Sequence, residues 1–262
     1  MSPPATPVPA ATVVLLRDAG DGLETLLIQR HAKSKFAAGD YVFAGGKVER
    51  EEMSAETEPF CRGLTAAAAA ARLGGGLTPV EALGYWVGAA REAFEEVGIL
   101  LAYGPDGGWP GPDLCARLAP YRAACDRDHR AFLPMLRAES LTLATDAMAY
   151  FAHWITPEES PLRFDTRFFA AVMPPGQEPL IDGREIVDCR WLAPAEAVAA
   201  GRRKEITLRF PTIKNLELVG AGSTAAAAVA ALATREVPTI RPRVLTIDGK
   251  PFPVIPPDPR WY

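Results

Sequence analysis

The feature that most constrains the fold of this chain is a long helix predicted from Pro79 to Val97. Thr78 is suited to cap its N-terminus, a proline occupies its first position, and Glu81 completes a capping box. Apolar residues then recur at helical spacing, and Gly98 supplies the residue that ends many helices. The pattern therefore predicts one amphipathic helix with a buried face.

The last turns of this helix carry three acids on one side, Glu92, Glu95 and Glu96. Like charges at i,i+4 cost roughly 0.2–0.5 kcal/mol per pair, and the C-terminal end of a helix favours cations. A hard divalent cation with oxygen ligands would compensate for both effects. A solvated acidic face is the alternative, and these residues alone do not choose between the two.

Composition limits the classes of partner. The chain has 262 residues, of which 48% are hydrophobic and 23% charged, as in an ordinary soluble globular protein. The net charge is −4 and there is no basic block, so no nucleic-acid partner is expected. A phosphorylated substrate stays compatible with this charge, because a bound metal supplies local positive charge.

Cysteine usage and hydropathy indicate the compartment. The four cysteines are scattered without a CxxC pair, which argues against a zinc site and a disulfide framework. We therefore expect a reducing, cytoplasmic location. No stretch has 18 uninterrupted apolar residues and the N-terminus has no basic region, so neither a membrane span nor a signal peptide is expected.

The remaining patterns predict a mixture of strands and helices. Strands are expected at residues 11–16, 23–28, 41–43, 153–156, 167–173, 186–192, 244–247 and 252–255, the last two around a turn at Asp248-Gly249. Further helices are expected at residues 113–137, 194–201, 211–220 and 223–235. Strands and helices alternate irregularly and several strands pair locally, which predicts an α+β, mixed α/β sandwich and not a doubly wound parallel sheet.

One constellation joins these elements. A strand ends in Gly45-Gly46, acidic residues follow, and the long helix ends in Arg-Glu-x-x-Glu-Glu-x-Gly. This arrangement resembles the box of the Nudix hydrolase family, Gly-x5-Glu-x7-Arg-Glu-(apolar)-x-Glu-Glu-x-Gly-(apolar). Gly46 and Glu52 fit its first half, and residues 91–99 fit its second half. Between Glu52 and Arg91 lie 38 residues where the box has seven, so an insertion of roughly 31 residues splits it.

The resemblance extends to a coenzyme A diphosphatase branch of the family, which also splits its box. The matching segments occur in the same order, and the likeness runs from about residue 12 to residue 257. They are residues 43–46, 91–101, 163–169, 204–206 and 245–249. This chain departs from the branch in having phenylalanine-alanine, where phenylalanine-proline is usual, before the paired glycines.

The resemblance implies a Nudix-type α/β/α sandwich with a mixed sheet and extra helical insertions. We expect a single domain over residues 1–262, with an insertion at about 53–77 inside the box. A helical insertion is expected at about 113–137, and a C-terminal extension of helices and strands at about 211–262. Many Nudix enzymes dimerise, so the family also allows a homodimer.

The resemblance also implies metal-dependent hydrolysis of a diphosphate linked to a larger moiety, with Mg²⁺ or Mn²⁺. Glu92, Glu95 and Glu96 would hold the metal, with the Gly45 carbonyl as a further ligand. Glu95 or Glu96 would also deprotonate the attacking water. These roles follow from the positions that match the family motif.

Arg91 is expected to orient this acidic face by pairing with the first glutamate of the box. Glu52 has the right spacing, but the insertion leaves Glu49 and Glu51 open as replacements, and a solvated charge run is the alternative for all three. Gly46, Glu52 and Gly98 are the structural positions of the box.

Five residues outside the helix complete the candidate site. Glu185 matches a region in which many Nudix enzymes place an additional acid, as metal ligand or base; a surface residue at a strand start is the alternative. Arg30 is placed to meet a phosphate, with a surface salt bridge as the alternative. Phe43, Phe164 and Arg167 are candidates for substrate contact, with Phe164 or Phe168 stacking on a base. The alternative for residues 163–169 is an ordinary strand with one face in the core, because such a strand shows the same alternation of residue types.

The favoured substrate is coenzyme A or an acyl derivative, which would give 3′,5′-ADP and (acyl-)4′-phosphopantetheine. An enzyme acting on ADP-ribose, NADH or a nucleotide sugar is the alternative within the family. A catalytically silent module that binds a nucleotide metabolite is the alternative from another class, and the complete set of three helix carboxylates argues against it.

Overall fold

A computed structural model describes residues 4–20, 22–34, 37–247 and 249–257 of the protein. The strands are β1 (Val8–Ala19), β2 (Gly22–Arg30), β3 (Tyr41–Val42), β4 (Ala44–Lys47), β5 (Ala102–Tyr103), β6 (Thr142–Leu143), β7 (Ala149–Ile155), β8 (Phe164–Val172), β9 (Ile186–Leu192), β10 (Thr239–Ile240), β11 (Arg243–Ile247) and β12 (Lys250–Val254). The α-helices are α1 (Ala66–Leu73), α2 (Pro79–Val97), α3 (Pro112–Arg127), α4 (Phe132–Ala138), α5 (Pro194–Arg202), α6 (Phe210–Val219) and α7 (Ala225–Ala233). Short 3₁₀ turns lie at Glu58–Phe60, His129–Ala131 and Thr145–Ala147.

Eight of these strands form one mixed sheet. Its main path runs β10-β7-β8-β1-β2-β3, with β4 paired to β1 and β9 paired to β2. The pairs β1–β8 and β10–β7 are parallel, whereas β1–β2, β1–β4, β2–β3, β2–β9 and β7–β8 are antiparallel. The expected local pairing of strands, seen in β1 and β2, and the expected mixed sheet are therefore both confirmed.

One edge of strand β1 pairs with β8, and its other edge is divided between two partners, so that the sheet forks. Residues 10–13 pair with β4, whereas residues 16–19 pair with β2. The paired glycines, expected at the end of a strand, lie inside β4. A Cβ added at Gly45 would lie 2.5 Å from both the Ala11 carbonyl oxygen and the Thr12 hydroxyl, so this arm of the fork requires glycine.

Helices cover both faces of the sheet. Residues of β1 alternate between the two cores: Val13 and Leu15 pack with α2, whereas Val14 and Leu16 pack with α5, α6 and α7. Trp86 of α2 fills the centre of the first core, with its ring centroid 4.7 Å from that of Phe169. The expected sandwich of two helical layers around a sheet is confirmed.

Helix α2 has the predicted bounds and both predicted ends. Thr78 and Glu81 form a complete capping box, and Gly98 ends the helix in the left-handed conformation with φ of 70°. No helix among the described residues combines the length and the apolar character needed to cross a membrane.

The segments outside the sandwich differ from the predictions in two places. Residues 113–137 form two helices, because Asp128 is extended (φ −154°) and its side chain accepts a hydrogen bond from the Arg130 amide, starting a new turn. Strands β5 and β6, which pair with each other, are absent from the strands expected from the sequence. At the C-terminus β11 and β12 pair as expected, and Asp248 of the predicted turn lies outside the described residues.

Candidate active site

The end of α2 lies at the fork of the sheet. Glu96 accepts a hydrogen bond from the Gly45 amide at 2.9 Å, on the arm formed by β4. Its other carboxylate oxygen accepts from Arg30 Nη1 at 3.3 Å, on the arm formed by β2. Because the Glu96 side chain is only 6% exposed, it joins the two arms as a buried carboxylate.

Arg91 is surrounded by acids. Its Nε donates to Glu52 at 2.6 Å, and its Nη1 donates to Glu95 at 2.5 Å. Its Nη2 lies 2.9 Å from Glu92 and also donates to the Lys47 carbonyl at 2.8 Å. The Arg91 and Glu52 side chains are both buried, so this guanidinium fixes the directions of two carboxylates of α2 and ties them to the loop after β4.

Glu52 is the acid that contacts Arg91. Its second oxygen accepts a hydrogen bond from the Glu49 amide at 2.7 Å. The same oxygen packs against α2 at Gly88, since a Cβ added at Gly88 would lie 3.0 Å from it. Glu51 is exposed instead and lies 3.3 Å from His129. The two halves of the box thus meet in space across the inserted segment.

Gly46 leaves room for another carboxylate. A Cβ at this position would lie 2.4 Å from Glu92 Oε1, closer than any real contact. Both glycines of the pair are therefore required, but for different reasons: Gly45 approaches β1, and Gly46 approaches the acidic turn of α2.

Burial sets the electrostatics of the acidic turn. Desolvation raises the pKa of Glu95 to about 8, and it raises the pKa of Glu52, Glu92 and Glu96 as well. The neighbouring Glu92 charge raises the pKa of Glu96 further, against the charge of Arg30. Such a site favours additional positive charge, because a cation next to a carboxylate stabilises its ionised form.

The donor set fits a hard metal ion. Glu95 Oε1 is buried without a hydrogen-bond partner, and two further carboxylates lie on the same turn. Within the described part of the chain, no three acidic, histidine or cysteine side chains already stand as a preformed metal cluster. Hydrogen bonds from Arg30, Arg91 and the Gly45 amide hold the carboxylates in their present directions.

A cavity of about 1190 Å³ opens in front of the carboxylates. Its lining includes the charged residues Glu92, Glu95, Glu96, Arg30 and Glu185. Its lining also includes aromatic and aliphatic side chains of β7, β8, the connection between them and the start of α6. These are Trp154, Ile155, Pro161, Leu162, Phe164, Phe168, Phe210 and Pro211.

Glu185 stands at the mouth of this cavity and is half exposed. Arg30 Nη2 donates to it at 2.8 Å, so one arginine links Glu185 to Glu96. Asp182 holds the turn before β9 by accepting hydrogen bonds from the backbone amides of Arg184, Glu185 and Ile186. The structure thus brings the predicted additional acid into the same site as the helix carboxylates.

The remaining predicted residues divide between the cavity and the core. Phe43 and Phe164, two of the candidates for substrate contact, line the cavity. Arg167 does not: its side chain is 2% exposed, contacts Asp165, and stacks on Tyr85 of α2 with its guanidinium carbon 4.6 Å from the ring centroid. Side chains alternate along β8, so Arg167 points to the opposite face of the sheet from Phe164 and Phe168.

Arg122 is a site residue that the sequence did not indicate. It lies on α3, within the segment expected as a helical insertion, and it donates to the Glu95 and Glu96 carbonyl oxygens at 3.0 and 2.9 Å. An arginine on a predicted surface helix has no local signal for this contact, which depends on how α3 packs against α2.

Comparisons with known proteins identify the family of this chain. Residues 5–219 match the family model described as the NUDT19 Nudix domain. The chain is 31% identical over 242 residues to the human acyl-coenzyme A diphosphatase NUDT19, covering 80% of this chain and 61% of that protein. For the Gallus gallus protein of the same name the identity is 30% over 230 residues, covering 74% and 60%. The chain thus spans about three-fifths of the length of these relatives.

A solved structure gives the same fold. The crystal structure of a Nudix hydrolase from Alicyclobacillus acidocaldarius aligns with a TM-score of 0.72 and 26% identity, covering 88% of this chain and 99% of that one. The family model covers most of the chain, and the two halves of the box meet at one site. The chain therefore belongs to the Nudix hydrolase family, in the branch described by the NUDT19 Nudix domain.

Proposed function

We propose that this protein is a metal-dependent diphosphohydrolase that cleaves the diphosphate of coenzyme A or acyl-coenzyme A. The observation that carries the proposal is the acidic turn of α2, which faces a cavity large enough for an extended nucleotide-linked substrate. The names of the human and Gallus gallus relatives support acyl-coenzyme A as the substrate class.

Glu92, Glu95 and Glu96 would hold Mg²⁺ or Mn²⁺, with the Gly45 carbonyl as a further ligand. When bound, the metal neutralises charge on the phosphate oxygens and favours the ionised form of the surrounding acids. Arg30 supports the same step, because its guanidinium lies beside Glu96 in the cavity lining and suits a phosphate oxygen.

The protein's own residues would position the water and accept its proton. Water attacks one phosphorus atom, the bond from that phosphorus to the bridging oxygen breaks, and two phosphate monoesters leave. Glu95 and Glu96 are candidate bases from the helix, and Glu185 is a candidate from the mouth of the cavity. With coenzyme A the products are 3′,5′-ADP and 4′-phosphopantetheine.

Substitution of the helix acids tests the proposal. With Mg²⁺ or Mn²⁺ present, Glu96→Gln and Glu95→Gln are each expected to lower kcat by about 100-fold or more while the protein stays folded. Glu217→Gln on the exposed face of α6 is the matched control. Wild-type rates in both site variants would remove the acidic turn from the mechanism.

A substrate panel with product identification by mass spectrometry tests the substrate class. The panel contains coenzyme A, acyl-coenzyme A, ADP-ribose, NADH and a nucleotide sugar. The highest kcat/KM for the coenzyme A compounds is the expected result. Binding of these compounds without any turnover would contradict an enzymatic role.

We also propose a reducing, cytoplasmic location, supported by the four free cysteines.

Homodimerisation stays a prediction from the family resemblance. Light scattering on the purified protein measures it directly, and a single species at the 28.1 kDa mass of one chain would contradict it.

A further inference from the structure

The end of α2 is capped by a residue from another helix. Arg122 of α3 donates from Nε to the Glu95 carbonyl and from Nη2 to the Glu96 carbonyl, so its planar guanidinium bonds both backbone oxygens of the acidic turn. An added Cβ at Gly98 would lie 3.3 Å from Arg122 Nη1, which shows how closely the arginine approaches the end of the helix.

This contact addresses an electrostatic problem specific to α2. The last carbonyl groups of a helix have no partner within it and carry roughly half a negative charge. The final turn of α2 contains no basic residue of its own, while Glu92, Glu95 and Glu96 add three carboxylates near that end. Arg122 supplies the missing cation and satisfies two of the exposed carbonyl groups.

Helix α3 also reaches the opposite wall of the site. Asp126, one turn after Arg122, pairs with Arg184 at 2.9 Å. Arg184 belongs to the turn that Asp182 organises and that presents Glu185. Helix α3 therefore contacts the elements that carry the acids on both sides of the cavity.

We propose that Arg122 is a positioning residue of the metal site: by holding the last turn of α2, it keeps Glu95 and Glu96 in the arrangement that binds the cation. The proposal rests on the proposed function for its reaction. Without Arg122 the final turn loses two hydrogen bonds and its compensating charge, so the turn frays and the carboxylates lose their common geometry.

The experiment measures Mn²⁺ binding to the full chain by calorimetry, without substrate. Arg122→Gln is expected to weaken Mn²⁺ binding by about 10-fold, as is typical when a residue that orients ligands is removed. Hydrogen exchange is expected to accelerate at the amides of residues 96–99 and to stay unchanged in the middle of α2. Arg117→Gln is the matched control, because this exposed arginine lies on the same helix and pairs only with Glu139 among the described residues.

Two further measurements separate positioning from general stability. Arg122→Lys keeps the charge but not the planar fork, so its Mn²⁺ affinity is expected between those of wild type and Arg122→Gln. In activity assays kcat is expected to fall more than KM rises. If Arg122→Gln does not fold, Arg122→Lys decides, and wild-type Mn²⁺ affinity in that variant overturns the proposal.

The outcome is independent of the proposed substrate. A wild-type protein that hydrolyses no compound of the panel, but whose Mn²⁺ affinity depends on Arg122, would contradict the proposed function and support the positioning role. Hydrolysis of a panel compound, together with a Mn²⁺ affinity and an exchange pattern unaffected by Arg122→Gln, would support the proposed function and contradict the positioning role.

Discussion

At the scale of single residues, the site is a balance between buried acids and arginines. The unfavourable acidic turn of α2 is compensated in part by the protein itself, through Arg91, Arg30 and Arg122. The electrostatic argument from the sequence offered a cation or solvent as the compensation for this helix turn, whereas in the structure three arginines also contact it. Two of them come from elements distant in sequence, which no local pattern reveals.

Glu52 is expected to contribute strongly to stability. Glu52→Ala removes one partner of the buried pair with Arg91, at a cost of roughly 3 kcal/mol in the free energy of unfolding. Urea denaturation measures this cost. Glu51→Ala, one residue earlier on the exposed side of the loop, is expected to change the free energy by less than about 0.5 kcal/mol. Equal effects of the two substitutions would refute the assignment of Glu52 to the box.

Gly46 is expected to matter for metal binding more than for folding. Gly46→Ala places a methyl group where Glu92 Oε1 lies, so this carboxylate has to turn away. We expect Mn²⁺ binding to weaken on the order of 10-fold, measured by calorimetry. Gly22→Ala is the control, since an added Cβ there meets nothing within 4 Å. Unchanged Mn²⁺ affinity in Gly46→Ala would count against Glu92 as a ligand.

At the scale of elements, predictions succeeded where local chemistry decides the outcome. The bounds of α2 followed from a capping box, a proline and a terminal glycine, all of which act within one turn. The break at Asp128 was missed because the apolar spacing continues through it, although Asp128 is a typical capping residue. The strand around Gly45 was missed because glycine has low strand propensity, and only its contact with β1 explains it.

The two ends of α2 are expected to behave independently. Thr78→Ala removes the N-terminal cap and is expected to lower the free energy of unfolding by about 1 kcal/mol. Because the acidic turn lies at the far end of the helix, Mn²⁺ affinity is expected to stay at the wild-type value. Parallel urea and calorimetric measurements check both statements, and a loss of metal affinity in this variant would show that the helix responds as one rigid unit.

At the scale of the whole molecule, the sequence predicted the layers but not the fork. Alternating strands and helices were sufficient for a mixed sandwich. The resemblance to the box implied that Gly46 meets the end of α2, but it left Glu49, Glu51 and Glu52 open, and only the structure selects Glu52. The meeting of Arg30 with both Glu96 and Glu185 depends on how β1 divides between β4 and β2. The buried position of Arg167 was missed for another reason. Strand alternation places Arg167 and Phe164 on opposite faces of β8, but it does not show which face carries the cavity.

The cavity is lined by both charged and apolar side chains, and the proposed substrate carries both kinds of group. Leu162 is one of the apolar lining residues and is 43% exposed, so Leu162→Asp is expected to leave the fold intact. We expect KM for a long-chain acyl-coenzyme A to rise about 10-fold, corresponding to partial loss of one leucine contact. KM for free coenzyme A is expected to change less. Leu180→Asp, at an exposed leucine outside the cavity lining, is the control.

The contact between Glu52 and Arg91 is made through space, across an inserted segment that ends in an exposed turn at Gly74, Gly75 and Gly76. Chain connectivity through that turn is therefore not what brings the two halves of the box together. A circularly permuted protein opened at Gly75 would carry the first half near its C-terminus and the second half near its N-terminus. The family signature would then be unrecognisable as a linear motif, while the same pair would still form inside the folded protein.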